Sequence, residues 1–169
     1  MDRALIYAVF QAAEQKIIGR IRVQKIFYLL EKLGLNSGLR FSYYHYGPYS
    51  ENLAHEIDFA EVLDGAIEEE VDTTSFGATY SIYKLNTKNA GDIPAKVGDM
   101  SMADARRAIK SMKARTSVTI EIAATAYWLA HEEKVADWRK EIQIRKSTKA
   151  TDKNINEALD LLKEIGLQL

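Results

Sequence analysis

The order of hydrophobic patterns in the first half of the chain restricts the fold more than any other feature. Apolar residues recur with helical spacing over residues 2–18, from Val23 to Leu33, and from Ser50 to Leu63. Residues 66–71 and 79–85 then alternate in part between apolar and polar side chains, as β-strands do. Three helices followed by a β-hairpin predict a winged-helix-like unit. The third helix would occupy the position of a recognition helix.

The second half of the chain is predicted to be helical. A polar stretch containing Gly91, Pro94 and Gly98 ends the first unit. Helical patterns follow it at residues 101–115, 117–132, 135–145 and 152–165. We therefore expect a mainly helical α+β fold. Its predicted parts, packed as one compact unit, are a winged-helix-like part at 1–88, a connector at 89–99 and a helical part at 100–169.

Composition narrows the class of protein. A chain of 169 residues can bury a hydrophobic core without disulfides, and this one has no Cys. The absence of Cys excludes thiolate zinc sites and Cys nucleophiles and is typical of a cytoplasmic protein. No apolar run approaches the ~20 residues of a membrane helix, and the N-terminus does not resemble a signal peptide. The net charge of -1 gives no general reason to bind nucleic acid or an anionic membrane.

Positive charge is absent between Arg40 and Lys84, the stretch that holds the predicted third helix and hairpin. A DNA-binding helix needs Lys or Arg to neutralise phosphates, so this helix is predicted to bind a protein instead. An acidic surface without a compensating base would attract a basic partner and speed its association. The alternative is a face that is only solvated. The nine acids of the stretch are Glu51, Glu56, Asp58, Glu61, Asp64, Glu68, Glu69, Glu70 and Asp72.

The densest motif, Tyr43 to Ser50, lies just before the third helix and allows two interpretations. Its four tyrosines could brace the entry to the helix, with Gly47-Pro48 breaking a short strand. They could also form an exposed protein-binding surface, since Tyr is enriched in binding hot spots. In that case we expect a contact group at the motif and on the third helix. Its members are His45, Tyr46, Tyr49, Glu51, His55 and Asp58.

A basic helix in the second half supports a different hypothesis. Arg106, Arg107, Lys110, Lys113 and Arg115 span ten residues without an acid. Helical spacing places Arg106, Lys110 and Lys113 on one face. This face could be solvated, contact a nucleic-acid backbone, or complement the acidic surface of a second copy. Nucleic-acid binding is therefore the alternative to a protein partner, and self-association is compatible with both.

Motifs for catalysis and cofactor binding are missing from the sequence. There is no Gly-x-Ser-x-Gly nucleophile motif and no Gly-rich phosphate loop. His45, His55 and His131 are too scattered to form a metal site. We expect no catalytic residue, cofactor or metal, and hence a protein that is not an enzyme.

Two motifs carry a resemblance to known families. The residues from Arg22 to Leu30 read RVQKIFYLL, and those from Phe41 to Ser50 read FSYYHYGPYS. This pair resembles the YwgA-like proteins and, more distantly, the Panacea (SocA-like) antitoxin domain. The runs from Ile122 to Ala130 and from Ile155 to Leu167 are similar to the YwgA-like tail. The Panacea resemblance implies a protein that neutralises a toxin encoded beside it or escorts one to a protease.

Overall fold

The computed structural model describes residues 1–169 and shows an α+β fold that is mainly helical. The helices are α1 (Arg3–Ala12), α2 (Arg20–Lys32), α3 (Glu51–Val62), α4 (Met102–Lys113), α5 (Ser117–His131), α6 (Trp138–Lys146) and α7 (Asp152–Ile165). The strands are β1 (Lys16–Ile18), β2 (Ser42–Tyr44), β3 (Gly47–Tyr49), β4 (Ile67–Thr73), β5 (Thr79–Leu85), β6 (Lys96–Val97) and β7 (Met100–Ser101). None of the helices combines the length and the apolar character that crossing a membrane requires.

The largest sheet is antiparallel and has the strand order β1-β5-β4. In it, Ile17 lies opposite Tyr83, and β4 pairs with β5 from Ile67–Leu85 to Thr73–Thr79. The strands β2 and β3 form a separate hairpin. Strand β6, inside the segment predicted to be an irregular connector, pairs with β7 directly after that segment. The hairpin predicted from the alternating pattern is thus present as β4 and β5.

The first helix is shorter than predicted. We expected a helix from Asp2 to Ile18, but α1 ends at Ala12 and residues 16–18 form β1. Glu14 and Gln15 have φ angles of 58° and 64°, in the left-handed region, so they turn the chain out of the helix. The NH of Leu85 then donates to the carbonyl oxygen of Gln15 at 2.9 Å. Pairing with β5 therefore overrides the local helical pattern.

Helix α2 runs through the middle of the molecule. Every residue from Val23 to Leu30 is buried, and α2 packs against α5, α4 and the β2–β3 hairpin. The buried apolar residues form one cluster that draws on both the N-terminal and the C-terminal helices. A helix buried on all sides must pair its polar side chains within the protein. This requirement applies to Gln24 and Lys25.

Candidate functional site

The Tyr-Gly-Pro motif folds as the small hairpin of β2 and β3. Tyr43 lies opposite Pro48, and His45 and Tyr46 form the turn between the strands. The expectation that Gly47-Pro48 would break a strand is wrong, because these residues begin the second strand of the hairpin.

Gln24 and Lys25 of α2 hold this hairpin by its backbone. The side-chain amide of Gln24 donates to the carbonyl oxygen of Ser50 at 3.0 Å and accepts from the NH of Ser50 at 2.8 Å. The amine of Lys25 donates to the carbonyl oxygen of Pro48 at 2.6 Å. All three bonds are buried. The two motifs that carry the family resemblance are therefore in direct contact, and we call this arrangement the clasp.

A second group of charges supports the hairpin from the C-terminal helices. The carboxylate of Glu121 on α5 pairs with the amines of Lys146 and Lys149, each at 2.9 Å. The amine of Lys146 also donates to the carbonyl oxygen of His45 at 3.3 Å. Glu121 and Lys146 are buried, so the pair neutralises a charge that water does not reach. Residues of α5 and α6 thus fix the turn of the hairpin.

Cations also lie against two rings of the hairpin. The guanidinium carbon of Arg145 is 4.7 Å from the centroid of the Tyr43 ring. The amine of Lys149 is 4.9 Å from the centroid of the Tyr46 ring. Both separations are within the range of cation–π attraction. Each ring is held on one face by a residue of the C-terminal part.

Gly47 lets the hairpin approach α5 closely. Its φ is 90°, and a Cβ atom at this position would lie 2.6 Å from Oγ1 of Thr125. Any side chain would therefore combine backbone strain with a steric clash. The glycine of the motif is required by this packing.

Burial changes the pKa values of the supporting groups. It lowers the pKa of Lys25 to about 7, an effect that the nearby charge of Lys146 strengthens and that of Glu121 opposes. Burial likewise lowers the pKa of Lys146, while its bond to Glu121 acts in the opposite direction. Burial raises the pKa of Tyr43, against the effect of Arg145. Lys25 can donate to Pro48 whether its amine is charged or neutral, so the geometry assigns it a holding role.

The rings divide between the two interpretations of the motif. Tyr43 is half-buried and braces the hairpin, Tyr49 is half-buried and keeps part of its surface open, and Tyr44, His45 and Tyr46 are exposed. The hydroxyl of Tyr44 donates to the carboxylate of Glu51 at 2.7 Å, and the Tyr44 and Tyr49 ring centroids are 5.3 Å apart. A shallow cavity of about 200 Å³ lies among Lys25, Tyr44, His45, Tyr46, Gly47 and Tyr49. The exposed rings therefore adjoin the first turn of α3.

The acidic stretch is only partly uncompensated. Arg3 pairs with Glu56 and Asp64, Arg20 pairs with Glu69, and Lys84 pairs with Glu70. The expectation of nine acids without a compensating base is therefore wrong, because the fold brings these bases from α1, α2 and β5. Five acids keep no ion pair: Glu51, Asp58, Glu61, Glu68 and Asp72.

Helix α3 presents a mixed face to solvent. Ser50 caps it, with its hydroxyl accepting from the NH of Leu53 at 3.3 Å. The predicted contact residues Glu51, His55 and Asp58 are exposed. Leu53, Ile57 and Ala60 form the inward stripe of the helix. Val62 and Leu63 lie outside this stripe, with exposed fractions of 76% and 68%.

The basic helix retains few free cations. Arg106, Lys110 and Lys113 line one cavity of about 220 Å³, in keeping with their helical spacing. Lys113 turns inward, however, and donates to the carbonyl oxygen of Ala13 at 2.6 Å. Burial lowers its pKa. Arg107 pairs with Asp104, and Arg115 pairs with Glu164 at 2.8 Å. Arg106 and Lys110 are thus the members whose side chains have neither an ion pair nor a hydrogen bond.

Sequence reasoning missed Gln24, Lys25 and Tyr44 as site residues. The signal for Gln24 and Lys25 was available, because IFYLL follows them and places large apolar residues on every face of α2. Polar residues in such a helix must find partners within the protein. For Tyr44 there was no signal, since its exposure depends on the hairpin register.

Comparison with known proteins agrees with the motif resemblance. No protein-family model matches the chain. The chain is 30% identical over 157 residues to a DNA ADP-ribosyl glycohydrolase of Thermus aquaticus (strain ATCC BAA-2747 / Y51MC23). That alignment covers 88% of the chain but 42% of the glycohydrolase. The Panacea resemblance stays a prediction.

The match to YwgA extends over almost the whole chain. It is 27% identical over 164 residues to the uncharacterized protein YwgA of Bacillus subtilis (strain 168). The alignment covers 97% of this chain and 96% of YwgA. It includes both residues of the clasp and the hairpin that they hold, so the family motifs and the supported site coincide. The resemblance to YwgA predicted from the motifs is thus confirmed over almost the whole chain.

Proposed function

We propose that the protein is a non-enzymatic interaction module, antitoxin-like or adaptor-like, that binds a protein partner. The contact residues would be His45, Tyr46 and Tyr49 on the hairpin and the exposed acids of α3. The observation that carries this proposal is the clasp, which uses buried polar side chains to hold a hairpin whose tip is aromatic and exposed. Rigid exposed rings lose little conformational entropy on binding, which favours their use as anchors.

The mechanism we propose is occlusion. Glu51 accepts from the exposed Tyr44, Asp58 lines a cavity with Tyr49, and neither acid has an ion-pair partner. A partner therefore needs basic residues to match this surface. Complementary charge would steer the encounter, and the rings would slow dissociation. Binding would cover a basic functional site on the partner and so inhibit it.

The arrangement of the N-terminal part supports a winged-helix-like interpretation. Helix α1, strand β1, helices α2 and α3 and strands β4 and β5 follow one another, with β1 joining the sheet beside β5. In a DNA-binding winged-helix protein, the helix at the position of α3 would carry Lys or Arg side chains that contact the DNA phosphates. Here α3 has no Lys or Arg. A cytoplasmic location and a role in toxin control both belong to this proposal.

The glycohydrolase relative raises the question of enzymatic activity. More than half of that protein lies outside the alignment, which leaves room there for a catalytic unit. We propose that the shared part is a binding module. Purified protein should therefore release no ADP-ribose from ADP-ribosylated DNA. Release that depends on the amount of protein would overturn the non-enzymatic proposal.

A pull-down from the native host at near-physiological salt tests partner binding. Tagged wild-type protein should capture a protein in stoichiometric amount, identified by mass spectrometry. Tyr46→Ala should reduce this capture severalfold with little change in the thermal midpoint, because about half of the ring is already exposed. The double variant Arg106→Ala and Lys110→Ala should capture as much as the wild type. Loss of capture in this double variant, with capture by Tyr46→Ala unchanged, would contradict the proposal.

Nucleic-acid binding is the second candidate function. It is favoured by the cavity that Arg106 and Lys110 share, where neither cation is paired. Binding through two or three cations would weaken with salt along a shallow slope, and it would not depend on sequence. Titration with duplex DNA at low salt tests this candidate function. The candidate requires that the wild type binds DNA and that Arg106→Ala removes this binding.

A further inference from the structure

Helix α3 carries an exposed apolar ridge near its C-terminal end. Phe59, Val62 and Leu63 have exposed fractions of 46%, 76% and 68%. Their spacing of three and four residues places them next to one another on the helix surface. Large apolar side chains scattered singly over a surface are ordinary, but three adjacent ones on one helix face mark an interaction site.

Acids border this ridge on one side. Asp58 and Glu61 lie on the flank of α3 nearer to β4, where the carboxylate of Glu61 accepts from the NH of Glu69 at 3.4 Å. Glu51 extends the acidic border to the first turn of the helix. None of these three has an ion-pair partner, whereas Glu56 on the other flank is paired with Arg3. The face therefore presents an apolar strip beside an acidic strip.

A second copy of the chain does not match this face. Pairing α3 with α3 would place the unpaired acids of both copies close together, which is unfavourable. The exposed side of the basic helix α4 carries Asp104, Arg106, Arg107 and Lys110 but no large apolar side chain. The occupant must instead combine an apolar face with a basic one.

We propose that this face binds a basic amphipathic helix of the partner protein. The apolar side of that helix would pack on Phe59, Val62 and Leu63, and its Lys or Arg side chains would meet Glu51, Asp58 and Glu61. This inference rests on the proposed protein-binding function and names the class of element that is bound. Helix-in-groove recognition uses the same spacing of apolar anchors.

Peptide binding tests the proposal without the native partner. The probe is a labelled peptide of ~18 residues, about five helical turns, made of Leu and Lys with Leu at helical spacing. A peptide with the same composition in scrambled order and one with Glu in place of Lys are the controls. Fluorescence anisotropy should show that the ordered Leu/Lys peptide binds and that the Leu/Glu peptide does not. Equal affinity for the scrambled peptide would overturn the proposal, since only net charge would then matter.

Variants locate the binding. The double variant Val62→Ser and Leu63→Ser should weaken peptide binding about tenfold or more, as expected for anchors of an interface. Ile144→Ser on α6 is the matched control, since Ile144 is exposed to 65% and should leave the affinity unchanged. Unchanged affinity in the α3 variant would overturn the proposal. The proposal would also be overturned if the wild type were a dimer and this variant a monomer, because a second copy of the chain would then occupy the face. Peptide binding does not depend on the outcome of the pull-down with the Tyr46→Ala variant. Each of the two proposals can therefore be overturned without the other.

Discussion

The amine of Lys25 is enclosed by the protein and lies 2.6 Å from the carbonyl oxygen of Pro48. Burial lowers the pKa of this lysine from its ordinary value of 10.5 to about 7. Between these two values the unfolded chain holds a proton that the native protein has released. The free energy of unfolding therefore rises with pH across this window, and the cost of burying the charged amine is greatest below pH 7.

Replacing Lys25 with Met should remove this pH dependence. We expect the slope of the unfolding free energy from pH 7 to 9 to fall by up to ~1.4 kcal/mol per pH unit, the effect of one proton. Urea denaturation at several pH values measures it. Lys84→Met is the control, since Lys84 is a partly exposed lysine on β5, outside the clasp, and its replacement should leave the slope near that of the wild type. Equal slopes for Lys25→Met and wild type would show that Lys25 does not titrate in this range.

Gly47→Ala tests how closely the hairpin packs on α5. Both Gly47 and Gly91 have positive φ angles, but only Gly47 has Thr125 within contact distance of the added methyl group. Gly91→Ala should cost about 1 kcal/mol from backbone strain alone, and Gly47→Ala should cost a further ~1–3 kcal/mol from the clash. Thermal or urea unfolding compares the two variants. Similar losses would mean that the hairpin can move away from α5.

At the scale of elements, the clasp links α2 to the start of α3. Gln24→Leu would leave the NH of Ser50 buried and unpaired, at about 1–3 kcal/mol, whereas the carbonyl oxygen of Ser50 would keep the bond that it accepts from the NH of Ala54 at 3.2 Å. Ser50→Ala removes only the helix cap and should cost about 1 kcal/mol. Urea unfolding should therefore rank Gln24→Leu as the more damaging change. The reverse order would mean that the cap, and not the clasp, holds this junction.

Elements set by local signals were predictable from the sequence. The predicted bounds of α7 agree with the structure because Thr151 caps its start and Gly166 ends it with a left-handed φ of 92°. Strand β1 was not predictable, because Lys16–Ile18 follows a helical pattern and pairs with Lys84–Ile82 far along the chain. The sequence predicted one short strand ending at Gly47-Pro48 and not the β2–β3 hairpin, because His45 and Tyr46 lack the usual residues of a tight turn.

The site was predictable only in part, for a related reason. The acids and tyrosines could be found in the sequence, but their partners lie elsewhere in the chain. Arg3, Arg20 and Lys84 neutralise four of the acids only after α1, α2 and β5 have packed against α3 and β4. Likewise, the exposure of Val62 depends on which face of α3 packs against the hydrophobic core.

For the whole molecule, the distribution of unpaired charge should control how fast a partner associates. Together, Glu51→Gln and Asp58→Asn should lower the association rate constant severalfold at low salt and reduce its salt dependence. Glu70→Gln is the matched control, since Glu70 is already paired with Lys84 at 2.8 Å. Stopped-flow or surface-plasmon kinetics with the captured partner measure both. A change in the dissociation rate constant alone would contradict steering by these acids.

Hydrogen–deuterium exchange of the partner complex tests the central claim most directly, because it maps the covered surface on the intact protein. The proposed function predicts slower amide exchange on binding across residues 42–58, which contain the β2–β3 hairpin and most of α3. Exchange in residues 102–115, which contain the basic helix, should not change. Protection confined to residues 102–115, with the hairpin unaffected, would contradict the account.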